Sequence, residues 1–106
     1  METRKIVINT AHGGFGLSKE AVEMYCAIEG IDPGDWQYDY LYFKNFHEHD
    51  LKRDDPTLIS VVEQLGAEAC STYSELKIIE IPVDVNWSIH EYDGAEWIAE
   101  VHRTWS

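Results

Sequence analysis

Basic side chains are scarce in this chain: 8 Lys and Arg stand against 20 Asp and Glu, for a formal net charge of −12. Nucleic-acid binding depends on cationic groups that neutralise phosphates, so this composition repels nucleic acid. The shortage is uneven. Residues 1–53 carry six Lys/Arg against nine Asp/Glu, whereas residues 54–106 carry two against eleven. Such a balance suits solubility or a basic protein partner. Long apolar runs are also missing. No stretch approaches the roughly 18 residues that cross a bilayer, which predicts no membrane span. The opening Met1-Glu2-Thr3-Arg4-Lys5 leads into a short apolar run without a small-residue cleavage site, which predicts no secretory leader. Cysteine is limited to Cys26 and Cys70, and neither sits in a CxxC. That excludes a disulfide framework, a zinc ribbon and a redox motif, and predicts two free thiols in a reducing cytoplasm.

What is present is enough for one core. Hydrophobic residues make up 44% and aromatics 12% of 106 residues, which predicts a single domain over residues 1–106. Residues 4–9 hold Ile6-Val7-Ile8, a short continuous apolar strand with both faces apolar, hence central. Ser18 is a good N-cap and Glu20 suits a first turn, so a helix follows to about Glu29 and ends at Gly30. The aromatic stretch from Trp36 to Phe46 alternates as an extended segment, serving either as a core-covering strand or as a stacking surface. Asp55-Pro56 starts a second helix with the stripe Leu58, Ile59, Val61, Val62 and Leu65. Strands are predicted over 76–82 and 87–92, and Asp93-Gly94 is a strong hairpin turn. Residues 95–105 fit two patterns, a strand or a helix capped by Asp93, and the β-branched and aromatic content favours the strand. The expected fold is α+β: two helices packed on one face of a small mixed or antiparallel sheet that ends as a meander with a C-terminal β-hairpin.

Few residues suggest chemistry. Gly13, Gly14 and Gly16 lie between a strand and a helix start, where backbone N–H groups can surround an anion. The loop is neither a Walker loop, which needs Gly-Lys-Ser/Thr, nor the dinucleotide GxGxxG. The candidate ligand residues are Gly13, Gly14, Phe15, Gly16 and Ser18, with Arg103 as counter-charge. Each has a plain alternative. The loop can be a tight turn, Phe15 a core residue, Ser18 only a cap, and Arg103 a partner for Glu96 or Glu100. His47 and His49 lack a third ligand at fixed spacing, so a solvated loop is expected there and no metal. His12 and His102 have no nucleophile placed beside them by any motif, and a hydrolase built on them with Glu96 or Glu100 has no fixed geometry. No catalytic residue and no cofactor is expected, and the pattern leans away from an enzyme.

Several segments resemble an uncharacterised family of short proteins of tailed phages and some bacterial genomes. These are Lys5-Ile6-Val7-Ile8-Asn9 with Gly13-Gly14-Phe15-Gly16-Leu17-Ser18, and Asp54-Asp55-Pro56 with Val61-Val62-Glu63 and Leu65-Gly66. Leu76-Lys77-Ile78, Glu80-Ile81-Pro82, and Glu91-Tyr92-Asp93-Gly94 with Glu96 and His102-Arg103-Thr104-Trp105 complete the set. The resemblance covers nearly all of the chain except about residues 31–52. It implies a phage or prophage protein acting in the bacterial host cytoplasm. The expectation is a small acidic accessory protein that binds a host or defence protein without enzymatic action. The alternative is a protein that binds or sequesters a small nucleotide-like anion at the glycine loop.

Overall fold

The computed structural model describes residues 2–37 and 42–100. In chain order these form β1 (Thr3–Asn9), α1 (Lys19–Glu29), β2 (Trp36–Gln37), β3 (Tyr42–Phe43), α2 (Pro56–Leu65), β4 (Leu76–Pro82), β5 (Trp87–Tyr92) and β6 (Ala95–Glu100), with short 3₁₀ turns at Glu48–Asp50 and Gly66–Ala69. The fold is α+β. Three antiparallel strand pairs, β1–β4, β2–β3 and β5–β6, replace the expected single sheet. The meander does not form, because β4 pairs with β1 along its whole length and not with β5. Both β1 and β4 are apolar on two faces, so their pairing makes a middle layer that can be buried from both sides.

One face of that layer carries Val7, Leu76 and Ile78 and packs on the core built by α1 and α2, where Val22, Tyr25, Leu58 and Val61 are buried. Ile6, Ile8, Ile79 and Ile81 lie on the other face. The β5–β6 hairpin covers it: Ile98 and Trp87 line the same small cavity as Ile79 and Ile81. Ile6 and Val7 are both 0% exposed, as a strand buried on two faces requires. Each fully buried aliphatic side chain of this kind contributes about 1.5–3 kcal/mol. The second edge of β1 is not left open. Val7 N donates to Arg53 O at 2.8 Å, and Asn9 N donates to Glu96 Oε1 at 2.8 Å.

Both helices begin and end where local chemistry directs. Ser18 Oγ accepts from Ala21 N at 3.1 Å, and Gly30 closes α1 at φ 71, a left-handed conformation glycine adopts freely. Asp55 Oδ1 accepts from Thr57 N at 2.8 Å, and Pro56 opens α2, where its missing N–H loses no bond. The aromatic stretch is a short hairpin. Trp36 pairs with Phe43, their rings 4.8 Å apart and edge to face. Residues 38–41 of that stretch lie outside the described residues. Asp93 at φ 52 and Gly94 at φ 90 form the hairpin turn, and Ala95–Glu100 is the strand.

A buried bond ties the two helices together. Tyr25 donates its hydroxyl to Asp55 Oδ2 at 2.6 Å. Burial, then this bond and the Asp55 charge, hold the phenol pKa well above its usual 10.0. The folded state therefore holds this proton more tightly than the unfolded chain does. Its contribution is whole below pH about 10 and is lost as pH rises through the folded value. Tyr25→Phe is expected to lower stability at pH 7 by about 1 kcal/mol and to flatten the alkaline decline. Urea unfolding of both proteins at neutral and strongly alkaline pH checks this; an equal alkaline loss in the two would assign the decline to other groups.

Candidate functional site

The glycine loop is a junction. Asn9, at the end of β1, is 0% exposed and uses its whole amide. Its Nδ2 donates to Ala11 O at 2.7 Å and to Gly94 O at 2.8 Å. Its Oδ1 accepts from Ala11 N at 3.2 Å and Glu75 N at 2.9 Å. One side chain thus joins the loop, the hairpin turn and the start of β4.

Each loop glycine has a steric or conformational reason. A Cβ on Gly13 would stand 2.2 Å from Tyr73 O, and one on Gly16 would stand 2.8 Å from Ser71 Oγ. Gly14 is at φ 89. The turn at 71–74 is also bonded to the loop, because Ser74 Oγ donates to Gly16 O at 2.7 Å. From the other side Gly94 presses on the loop, so close that its own Cβ would stand 2.3 Å from His12 O. The loop is therefore clasped between two turns, 71–75 and 93–94.

Beside it lies a cleft of about 430 Å³, lined in part by Gly13, Gly14, Phe15, Gly16 and Ser18. The structure brings these five predicted residues together; Arg103 lies outside the described residues. Ser18 is fully engaged, accepting from Ala21 N and donating to Glu68 O at 2.6 Å. Phe15 is 7% exposed, part of the core, and the Arg53 guanidinium lies 3.7 Å above its ring centre. The charges lining the cleft are Lys19, Glu20 and Glu48, and Lys19 is already paired with Glu23 at 3.2 Å. Two carboxylates against one engaged ammonium is a poor setting for an anion.

Behind the loop sits an ion pair that sequence reasoning did not foresee. Arg53 Nη1 and Nη2 donate to Glu96 Oε1 and Oε2 at 2.6 and 2.8 Å. The Glu96 side chain is 8% exposed and that of Arg53 18%. Glu96, named with Glu100 as a partner for Arg103, is bound by Arg53; Arg103 itself lies outside the described residues. Glu96 lies on the inner face of the hairpin, directly opposite Glu91, so the guanidinium offsets a like-charge pairing.

The outer face of the hairpin is the other feature the sequence reading passed over. Ser88, His90 and Tyr92 of β5 face the same way as Ala99, Trp97 and Ala95 of β6, because opposite residues and alternate residues share a face. Tyr92 is 75% exposed and Trp97 48%. His90 stands opposite Trp97, ring centres 5.9 Å apart. Tyr73, 70% exposed, stands apart from this face, on the turn packed against Gly13, where it lines the cleft. The available signal was the outward period of two in β5 once Asp93-Gly94 fixed the hairpin. Comparison with protein-family models, curated proteins and solved structures gives no match.

Proposed function

We propose that this chain is a non-enzymatic binding protein that recognises another protein through the outer face of its C-terminal hairpin. The observation that carries this reading is the diagonal pair Tyr92 and Trp97, on the outward face of a strand pair and 75% and 48% exposed. Tyrosine and tryptophan supply large contact area with little conformational entropy to lose, and interfaces are enriched in them. The anion alternative has less support: the loop glycines answer to steric contact or positive φ, the Ser18 hydroxyl is spent, and carboxylates line the cleft. In the phage setting implied by the resemblance, the partner is a host or defence protein of the bacterial cytoplasm.

The test compares the parent with Tyr92→Thr/Trp97→Thr. Both positions are exposed strand sites, and threonine keeps β-propensity, so folding changes by less than about 1 kcal/mol. Immobilised parent and variant are challenged with bacterial lysate, and bound proteins are quantified. A partner retained by the parent and reduced at least tenfold on the variant supports the reading. Equal retention on both sinks it. A thermal shift with any member of a nucleotide panel would favour the cleft instead, since saturation at a hundred times the dissociation constant adds about 2.7 kcal/mol.

A further inference from the structure

We propose that the free edge of β4 accepts an extended segment of a partner protein as a third, antiparallel strand, with an apolar residue across from Ile79, a cation across from Glu80 and a carboxylate across from Lys77. This surface is separate from the outer face of the hairpin and does not depend on the reading of that face. The two edges of the β1–β4 layer differ. On β1, Val7 and Asn9 are bonded by Arg53 and Glu96. On β4 the ladder decides which groups remain. Thr10 N donates to Glu75 O at 2.8 Å and Val83 N to Glu2 O at 3.2 Å, which continues the β1–β4 register at both ends. Bonded pairs recur at every second residue of an antiparallel ladder. Lys77, Ile79 and Ile81 therefore bond β1, while Leu76, Ile78, Glu80 and Pro82 turn their backbone groups outward. Leu76 N donates to Cys70 Sγ at 3.2 Å, and Pro82 O accepts from Val85 N at 3.2 Å. The N–H and C=O groups of Ile78 and Glu80 have no partner among the described residues. They form a window, bounded at both ends, that an extended backbone fills. An antiparallel strand exchanges both bonds with each of the two residues, and such pairing is slightly more stable than parallel pairing.

Side chains along the window define the segment. Lys77 and Glu80 are exposed and lie on opposite faces of β4. Charges at a sheet edge deter indiscriminate pairing. A segment with a cation across from Glu80 and a carboxylate across from Lys77 turns the same charges into attractive cross-strand pairs. On the β1 side, Lys5 stands opposite Glu80 but is held by Glu63 at 2.9 Å, and the neutral Thr3 hydroxyl donates to Glu80 at 3.2 Å. Between the two charges Ile79 shares a face with Ile81. Both line an apolar cavity of about 290 Å³ with Pro82, Val85, Trp87 and Ile98. A partner residue across from Ile79 points to that same face, so an apolar side chain suits it. A second copy of this chain is disfavoured, because it would join two molecules of net charge −12.

The experiment titrates the isotope-labelled full chain with two capped peptides of equal composition, followed by NMR. One carries Lys-Val-Thr-Glu between flanking threonines, the other Glu-Val-Thr-Lys. In the antiparallel register the first places lysine across from Glu80, valine across from Ile79 and glutamate across from Lys77. It is expected to bind at least fivefold tighter than the second and to slow exchange of the Ile78 and Glu80 amides at least tenfold. N-methylation of its threonine across from Ile78 removes a ladder donor and should weaken binding at least tenfold. N-methylation of its valine, whose N–H points away from β4, should weaken binding less than threefold. Equal binding of the two peptides, equal effects of the two N-methyl groups, or unchanged exchange at Ile78 and Glu80 with the first peptide in excess overturns the proposal. Protection of these amides that grows with protein concentration in the absence of peptide assigns the edge to a second copy and also overturns it. None of these failures touches the hairpin reading, which is decided by partner retention on the Tyr92→Thr/Trp97→Thr variant.

Discussion

Arg53→Met is expected to lower the unfolding free energy by about 3–5 kcal/mol, the range seen when one partner of a buried ion pair is removed. The substitution keeps the bulk of the side chain and removes the charge. Glu96, 8% exposed, would then keep its bond from Asn9 N but lose both guanidinium bonds while facing Glu91 across the hairpin. Further contacts go with it: the Arg53 Nη1 bond to Val7 O at 3.3 Å and the stacking on Phe15. The penalty comes mainly from a poorly exposed carboxylate deprived of its guanidinium, so neutralising that group should restore stability. Arg53→Met/Glu96→Gln is therefore expected to recover at least half of the loss, because the side-chain carbonyl of the introduced glutamine can still accept from Asn9 N. Arg53→Lys should fall between, since an ammonium does not span both carboxylate oxygens. Urea unfolding of the four proteins decides it. A double variant no more stable than Arg53→Met would show that the Phe15 and Val7 contacts, and not the charge, make Arg53 necessary.

The parts of this molecule that could be read from its sequence are those decided within a few residues. Ser18 with Gly30, and Asp55 with Pro56, announce both helices because capping is a local hydrogen-bond problem. Asp93-Gly94 announces the hairpin because its turn needs positive φ at both positions. Leu76, Ile78, Ile79 and Ile81 reveal that β4 is apolar on both faces, but not that β1 is its partner. Pairing between such distant segments is chosen by the packing of the whole chain, and several strands here would satisfy the same pattern.

The site shows the same division. Gly13, Gly14 and Gly16 mark a special backbone, yet the atoms that exclude a Cβ from Gly13 and Gly16 belong to Tyr73 and Ser71. Glu96 gives a local clue, since it shares a face with Ile98 and Ile89, which point inward. A carboxylate on an inward face calls for a cation, but nothing near it in the chain names Arg53, 43 residues away. The aromatic face of Tyr92 and Trp97 was hidden by a different ambiguity. Until residues 95–100 are known to be strand, Trp97 has no fixed side of the chain on which to stand.

Asn9 is where loop and hairpin depend on each other most directly, and Asn9→Leu is expected to lower stability by about 3–4 kcal/mol. Leucine matches the volume but leaves four backbone groups without their partner: Ala11 N and O, Gly94 O and Glu75 N. A buried group left unsatisfied loses about 1–3 kcal/mol. Ala11 and Gly94 are half-buried and Glu75 is exposed, so water relieves part of that sum. Asn9→Asp is a sharper probe. It preserves the acceptor oxygen for Ala11 and Glu75 but turns a second oxygen toward two carbonyls, in a position with no exposure to solvent. Its loss should equal or exceed that of leucine, and it should fall first on the hairpin, whose turn is bonded to Asn9 through Gly94. Hydrogen exchange reads this directly: amides of β5 and β6 should lose protection in Asn9→Asp before those of α1 and α2. Uniform loss across all four elements would mean that the hairpin is anchored by Ile98 and Trp87 on the β1–β4 layer. The glycine loop would then be a passive turn and not the clasp that positions Tyr92 and Trp97.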